Sequence, residues 1–427
     1  MSTTISRILH LDVHLIQSYP YSNLNRDRHG TPKTATYGGV QRARLSSQNG
    51  KRHVRQHVEQ AIGLRAVRSR GIPQAVAEHL VAAGWEERTA RTAAQLLILA
   101  AGVQGLGIAE GGGTNALLFL PETAIAELAE VAQTHREGLS VAVAAVVADE
   151  EKAAAKAARK TAAKDTDEDE LQEDDEDEEE SARSVLLAKH VAKATPKDGP
   201  KDALKKDVLK VLQSRNASVA AFGRMLANEA GSTVTGAVQM AHGVSTHEVV
   251  IQTDFFTAVD DLQTDAGEER GAGHMGDNRY TSATFYRYGP LNVGELLRDL
   301  DPETARQVVA EYLRALVTAI LPAKGSGTAP YTVPHLVYVA LRSDRPVSLV
   351  GAFETPVPAT AAGYLPASLK ALDEHAAAHH RFLGRGNVLA DFHTGLSTQK
   401  FPALGERTEG LDDLITRLLD ALVKEAE

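Results

Sequence analysis

The chain has 427 residues, 43% of them hydrophobic, which is enough for two or three domains with cores of their own. No apolar run reaches the roughly 20 residues of a membrane span, and the start, MSTTISRILHLDV, lacks the basic head and apolar stretch of a signal peptide. Cysteine is absent, which excludes disulfides, thiolate zinc sites and a cysteine nucleophile, and the plain expectation is a cytoplasmic protein.

The net charge of −10 conceals an uneven distribution. Thirteen acids and no base lie in residues 165–180, DTDEDELQEDDEDEEE, and removing those thirteen turns −10 into +3. Charge distribution rather than the total sets the electrostatic footprint. At the other extreme, Ser22–Arg55 holds eight Arg or Lys and one acid, Asp27.

In chain order, Leu9, Leu11, Val13 and Leu15 alternate with His10, Asp12 and His14, the pattern of a strand with one solvated face. That polar face carries no aromatic stacking platform, and no further ligand pattern joins its histidines and acid into a metal site. The basic stretch follows. Gly38-Gly39 allow a turn with positive φ, and a short extended piece puts Arg42 and Arg44 on one face. Ser46 or Ser47 is placed to cap a helix whose N-terminal amides seat an anion. Gln48, Lys51, Arg52 and Arg55 follow on that helix, with Lys51 and Arg55 neighbours at a spacing of four. Arg26, Arg42, Arg44, Ser46, Ser47, Gln48, Lys51 and Arg52 together form a phosphate-contact set. A solvated basic surface is the alternative.

Helices are expected from Gln48 to about residue 133, broken at Gly71-Ile72-Pro73, Gly84 and Gly111-Gly112-Gly113. The glycine run is not a P-loop, because Thr114-Asn115 supplies no phosphate-binding lysine. An Ala-rich helix over 139–160 leads into the acidic run, and 162–182 reads as a disordered insertion with too little apolar content to bury. Helix resumes near Lys201–Arg215. Strands are expected at Ser218–Arg224, Val249–Thr253 and Thr284–Tyr288, with a loop over Asp260–Met275. Asp301–Ile320 reads as a helix with Pro302 in its first turn. Leu336–Leu341 and Val347–Ala352 read as paired strands, and helices at Pro366–Phe382 and Gly410–Ala426 close the chain. Strands at both ends with helices between indicate an α+β fold.

LNRD at Leu24–Asp27 and GGVQRARLSSQNGKR at Gly38–Arg52 resemble the signature of the CasC-type, RAMP-superfamily backbone subunit of type I-E CRISPR Cascade complexes. The resemblance continues through FGRM (Phe222–Met225), MAHGVSTHEV (Met240–Val249), DFFTAVDDL (Asp254–Leu262) and TFYRYGPLN (Thr284–Asn292). It ends with LPAKGSGTAPYT (Leu321–Thr332) and VSLVGAFETPV (Val347–Val357), all in the family's order. It implies a ferredoxin-like, RRM-type palm with a helical fingers insertion and a β-hairpin thumb. The corresponding spans are palm 1–56, fingers 57–215, palm 216–235, thumb 236–290, and palm with C-terminal helix 291–427. The acidic insertion departs from the family's pattern.

The resemblance also implies function: a guide RNA-binding scaffold that polymerises along CRISPR RNA and presents it for pairing with invading DNA. Its partners would be guide RNA, target DNA through the guide, further copies of itself and other Cascade subunits, with no membrane and no cofactor. Such a protein neutralises phosphates without reading sequence. Single-strand binders add apolar platforms, for which Met225, beside Arg224, and the thumb residues Phe255 and Phe256 are candidates, ordinary core packing being the alternative. Lys324 lies in a loop that matches one facing the RNA.

Enzymatic readings are weaker. His242 and His247 are not at the i, i+4 spacing of a helical metal pair, and His379-His380 suits the negative end of a helix. Asp260-Asp261 fits a hairpin base or helix cap. Relatives in other CRISPR classes cut RNA with an acid in the loop that holds Asp27, so an RNA-cleaving subunit using Asp27 is the alternative to an ion pair with Arg26 or Arg28. No catalytic residue is assigned. A protein-only scaffold would leave the basic stretch unexplained.

Overall fold

A computed structural model describes residues 8–162, 176–194, 202–224, 233–258, 274–319, 321 and 325–426. The chain forms two compact units, one of residues 1–63 with 236–427 and one of residues 64–235. Residues 216–235, grouped from the sequence with the palm, fall in the second unit.

The first unit opens with strands β1 (His10–Ser22), β2 (Thr34–Tyr37) and β3 (Val40–Leu45) and helix α1 (Ser47–Ile62). The second unit then runs through β4 (Ala66–Ser69), α2 (Ile72–Ala82), α3 (Glu87–Ala100), β5 (Leu118–Pro121) and α4 (Thr123–Thr134). It continues with α5 (Arg136–Ala162), α6 (Glu176–Val191), α7 (Ala203–Leu212) and α8 (Ala217–Phe222). Back in the first unit come β6 (Gly243–Ser245), β7 (Gln252–Ala258), β8 (His274–Tyr288), β9 (Leu291–Asn292), α9 (Val293–Asp299), α10 (Pro302–Thr318) and α11 (Gly325–Thr328). The chain ends with β10 (Leu336–Arg342), α12 (Leu365–Leu383), β11 (Val388–Thr394), β12 (Glu406–Arg407) and α13 (Leu411–Ala426).

One sheet organises the first unit, in the order β12-β11-β10-β1-β8-β6-β3-β2. All of its pairings are antiparallel except β11 with β12, and β7 pairs the first half of β8 while β1 pairs the second. Helices cover both faces of β1. Ile16 joins Tyr338, Leu369, Leu372 and Ala376 in one apolar cluster under α12. The Leu15 face is covered by α10, where Arg287, opposite Leu15, donates to the Leu316 carbonyl at 3.0 Å.

This two-sided burial overturns the expected solvated face of β1. Asp12 and His14 are 1% and 2% exposed. Asp12 accepts from the Tyr288 hydroxyl (2.6 Å) and the Val347 amide (3.0 Å), and burial pushes its carboxyl up to about 6. His14 is bonded through Nδ1 to the Tyr286 hydroxyl at 2.9 Å and stacked among Tyr286, Tyr288 and Tyr338, and burial holds it down at about 3.

The second unit is mainly helical around Leu96, Leu97, Leu128, Val146, Leu187 and Val208. It contains a two-stranded ladder, β4 with β5, that the helical periodicity concealed. The glycine run Gly111–Gly113 folds against Arg70, whose carbonyl accepts from the Thr114 amide at 2.8 Å. Residues 163–175 of the acidic run lie outside the described residues. From Glu176, within the segment read from the sequence as disordered, the chain is helical as α6.

Three more expectations change. Ser218–Arg224 lies mostly in helix α8, because Asn216 caps it by accepting from the Val219 amide. Val347–Ala352 is not a strand; its amides at Val347 and Leu349 go to Asp12 and the Tyr286 oxygen, and a 3-10 turn follows at Val350–Phe353. The partner of β10 on that side is β11. The loop expected over Asp260–Met275 falls mainly in 259–273, outside the described residues, and β8 already includes Met275.

Candidate nucleic-acid interface

The basic stretch folds as hairpin, loop and helix. Tyr37 pairs Val40 across Gly38-Gly39, both with positive φ (61° and 79°), the two-residue turn that matches the twist of the strands. A side chain at Gly38 would collide with the Glu354 carbonyl, so the turn lies directly on backbone.

Arg42 does not face solvent. It is 0% exposed, and its guanidinium donates to the carbonyls of Tyr37 (3.1 Å), Ser245 (2.8 Å) and Phe353 (2.8 Å). A guanidinium bonded to three carbonyls is a structural clamp, so the expected phosphate contact at Arg42 is corrected. Arg44 is half-buried on the same strand, its amide bonded to the Lys33 carbonyl.

Ser46 occupies the N-cap position of α1 but does not cap with its side chain; its hydroxyl bonds Gln48 Oε1 at 2.5 Å. His242 Nδ1 accepts from the Ser47 amide at 3.0 Å instead, and Asn25 Oδ1 accepts from the Ser46 amide at 2.9 Å. Lys51 Nζ donates to the Val238 carbonyl at 2.8 Å, and burial lowers its pKa. It is therefore partly structural, whereas Arg52, the next residue, is exposed. Arg55 is bridged to Glu59 at 2.8 Å.

The LNRD loop is exposed at Arg26, Asp27 and Arg28. Leu24, Asn25, Arg26, Asp27, Arg28, Gly30 and Asn49 line an open groove of about 550 Å³. Asp27 pairs with neither neighbouring arginine. Its Oδ1 accepts from the amides of His29 (2.8 Å) and Thr31 (2.9 Å), and those bonds, Thr31's first, hold its carboxyl below the usual range.

Two residues not singled out from the sequence for this surface belong to it. Arg279 of β8 is exposed and donates to Thr31 Oγ1 at 2.8 Å. Asn23, 1% exposed, donates from Nδ2 to the carbonyls of Gly30 (2.8 Å) and Arg279 (3.0 Å). These contacts join β8 to the loop. The two contacts that involve Arg279 span more than 240 positions, which no local pattern encodes; Arg279 lies just beyond the Gly-rich 260–275 stretch, and only its charge is visible there.

The β7–β8 hairpin places Thr253 opposite Arg279, Phe255 opposite Asp277 and Thr257 opposite Met275, all on one face. Phe255 and Met275 are each 62% exposed. Phe256 lies on the other face against Gly276, where a Cβ would sit 2.8 Å from its ring. Arg224 is in the second unit, 4% exposed, donating to the Ser214 carbonyl at 2.8 Å; burial, then Arg215, lowers it to about 10. That exposure does not fit direct phosphate contact by Arg224. Met225 and Lys324 lie outside the described residues.

His247 stacks on Tyr364 at 3.6 Å and accepts from the Thr284 amide through Nε2 at 3.1 Å, with burial lowering its pKa. It is a packing residue. Among the described residues no group of three or more His, Cys, Asp or Glu could hold a metal ion, and no helix is long and apolar enough to cross a membrane. Asp260-Asp261 lies outside the described residues.

Sheet, hairpin and helices together define a mixed α+β protein, with Arg26 and Arg28 exposed on one loop and Arg52 on one helix. The chain belongs to the family of CT1975-like proteins, whose model matches residues 11–421. A solved chain described as "CRISPR RNA-guided surveillance complex, pre-nicking" is similar, with 34% identity and a TM-score of 0.75 over 96% of this chain and 99% of that one. A second, described as "CRISPR RNA-guided surveillance complex", has 30% identity and a TM-score of 0.65 over the same shares. No curated protein matches the chain.

Proposed function

We propose that this protein is a guide RNA-binding backbone subunit of a CRISPR effector complex, of the CasC type found in type I-E Cascade. Copies polymerise head-to-tail along the RNA, a repeated heterologous contact whose extent the RNA sets, and hold the guide for pairing with invading DNA beside other Cascade subunits in the cytoplasm. In this reading the large sheet of the first unit is the ferredoxin-like palm, the second unit supplies the fingers and the β7–β8 hairpin the thumb.

The observation that carries the reading is the surface where Arg26, Arg28, Arg52 and Arg279 are exposed around the LNRD loop and α1. Exposed guanidinium groups bind phosphates without reading bases, which suits a protein whose specificity lies in guide–target pairing. The protein is read as non-catalytic, with Asp27 shaping its loop through backbone amides. The similar chains from RNA-guided surveillance complexes support the assignment.

The test is expression of the chain beside a CRISPR array and the other subunits, followed by extraction of co-purifying nucleic acid. Guide-length RNA bound to several copies is expected. A complex that assembles without RNA, or an equal affinity for unrelated duplex DNA, overturns the reading.

A further inference from the structure

The last two turns of α12 carry a feature that RNA binding does not use. His375 and His379 stand four residues apart on one helix face, and their Nε2 atoms are 3.2 Å apart. The ring centroids are 4.7 Å apart with the planes at 59°, so the rings converge at their nitrogen edges rather than stack. Two imidazole nitrogens bound to one tetrahedral ion at roughly 2.0–2.1 Å are held about 3.3 Å apart. The observed separation is that of a hydrogen bond between the two rings, and it also matches two ligands on one ion.

We infer that His375 and His379 form a two-histidine chelate for a divalent transition-metal ion such as Zn²⁺ or Ni²⁺, with solvent completing the coordination. Imidazole nitrogen is a preferred donor for these ions, and two histidines at i, i+4 on a helix are an efficient way to supply two of them. Without metal one ring donates its Nε2 hydrogen to the other's Nε2; on binding, the donor ring changes tautomer, its hydrogen going to Nδ1 through solvent, so each neutral ring carries one hydrogen on Nδ1 and no net proton is released.

The surroundings fit this protonation. Gly351 lies against His375, where a Cβ would stand 3.1 Å from Nε2 and Cε1, so the glycine leaves room beside the ligating edge. His379 Nδ1 is buried without a protein partner. His379 also lines a cavity of about 20 Å³ with Asp12, His14 and Arg342, large enough for one water to accept from Nδ1. A metal-bound histidine whose other nitrogen is hydrogen-bonded is better oriented and more basic. The adjacent His380 takes no part, being bonded to the Ala403 carbonyl at 3.0 Å.

The test is calorimetric titration of the untagged, chelator-treated full chain with Zn²⁺ and, separately, Ni²⁺. One equivalent should bind, at least tenfold more weakly in H375Q and in H379Q, while H79A, at an exposed histidine elsewhere, matches the parent. Zn²⁺ should also raise the melting midpoint of the parent and not that of H379Q. Circular dichroism of the glutamine variants checks that they fold, and histidine side-chain NMR on the parent reads the ligating nitrogen without any substitution. Unchanged binding in the double variant H375Q/H379Q, metal shifts confined to other histidines, or no binding at one equivalent overturns the assignment.

Discussion

The Arg42 guanidinium donates to the carbonyl of Phe353, 311 positions further along the chain, at 2.8 Å. With Ser245 and Tyr37 as its other acceptors, it ties the β2–β3 hairpin to β6 and to the 3-10 turn. Removing it leaves buried carbonyls without a donor, at about 1–3 kcal/mol for such groups. Arg42→Ala is expected to lower unfolding stability by about 3 kcal/mol and to weaken RNA binding only through loss of folded protein. Urea unfolding and RNA titration at matched folded concentration check this. A stable variant that has lost RNA binding would return Arg42 to the interface.

Arg52 and Lys51, adjacent in sequence, are expected to behave differently. Arg52→Glu should leave stability within ~0.5 kcal/mol, as for an exposed site, and lower the salt slope of RNA binding by about 0.7 for the lost phosphate contact. Lys51→Ala should destabilise α1 packing through the lost bond to Val238 and change the slope less. Binding isotherms at several salt concentrations separate the two.

Asp27→Asn keeps an oxygen acceptor for the amides of His29 and Thr31, whereas Asp27→Ala does not. RNA affinity near the parent value is expected for the asparagine variant and a several-fold loss for the alanine variant. Target cleavage by the complete complex should persist in both once the guide is loaded. Loss of cleavage in Asp27→Asn with guide and target still bound would support the RNA-cleaving alternative.

Asp12 predicts a pH dependence. Its folded pKa of about 6 lies above the ordinary value of 3.8, so the folded state holds the proton more tightly. Stability from this group is fully present below about pH 4 and is lost as pH rises through about 6, an effect on the order of 3 kcal/mol. Urea midpoints for the parent should fall across that window relative to Asp12→Asn, whose profile should be flatter there. Parallel profiles would show that Asp12 is ionised at no cost.

Phe255, exposed on the hairpin, should be dispensable to the isolated chain. Phe255→Ala is expected to leave thermal stability unchanged and to reduce the number of copies assembled on a long guide RNA, read by analytical ultracentrifugation. Unchanged assembly would remove the hairpin from the copy-to-copy contact.

The sequence was most informative where the pattern is local. The Gly38-Gly39 turn, the entry into α1 after Ser46 and α10 with its Asp301 cap all follow from neighbouring residues. It misled where distant chain decides. Asp12 and His14 look like a wetted face until tyrosines from β8 and β10 close over them. Arg42 reads like its exposed neighbours because nothing nearby in sequence announces the carbonyls of Ser245 and Phe353. Nothing near His242 in sequence announces its bond to the Ser47 amide, which spans 195 positions.

The placement of β1 between β8 and β10 sets the order in which the chain can mature. His14 meets Tyr286 only after 272 further residues have been made, roughly 15–55 s of synthesis at ordinary elongation rates. Residues 64–235 are complete well before that and have their own core. The second unit can therefore fold on the ribosome, while the first strand, apolar on its Leu9–Leu15 side, waits with both edges unpaired. Such a segment is a target for chaperones and for wrong pairing with its copies on neighbouring ribosomes. Sheltering β1 until the last third of the chain emerges is therefore expected to favour correct folding of this protein.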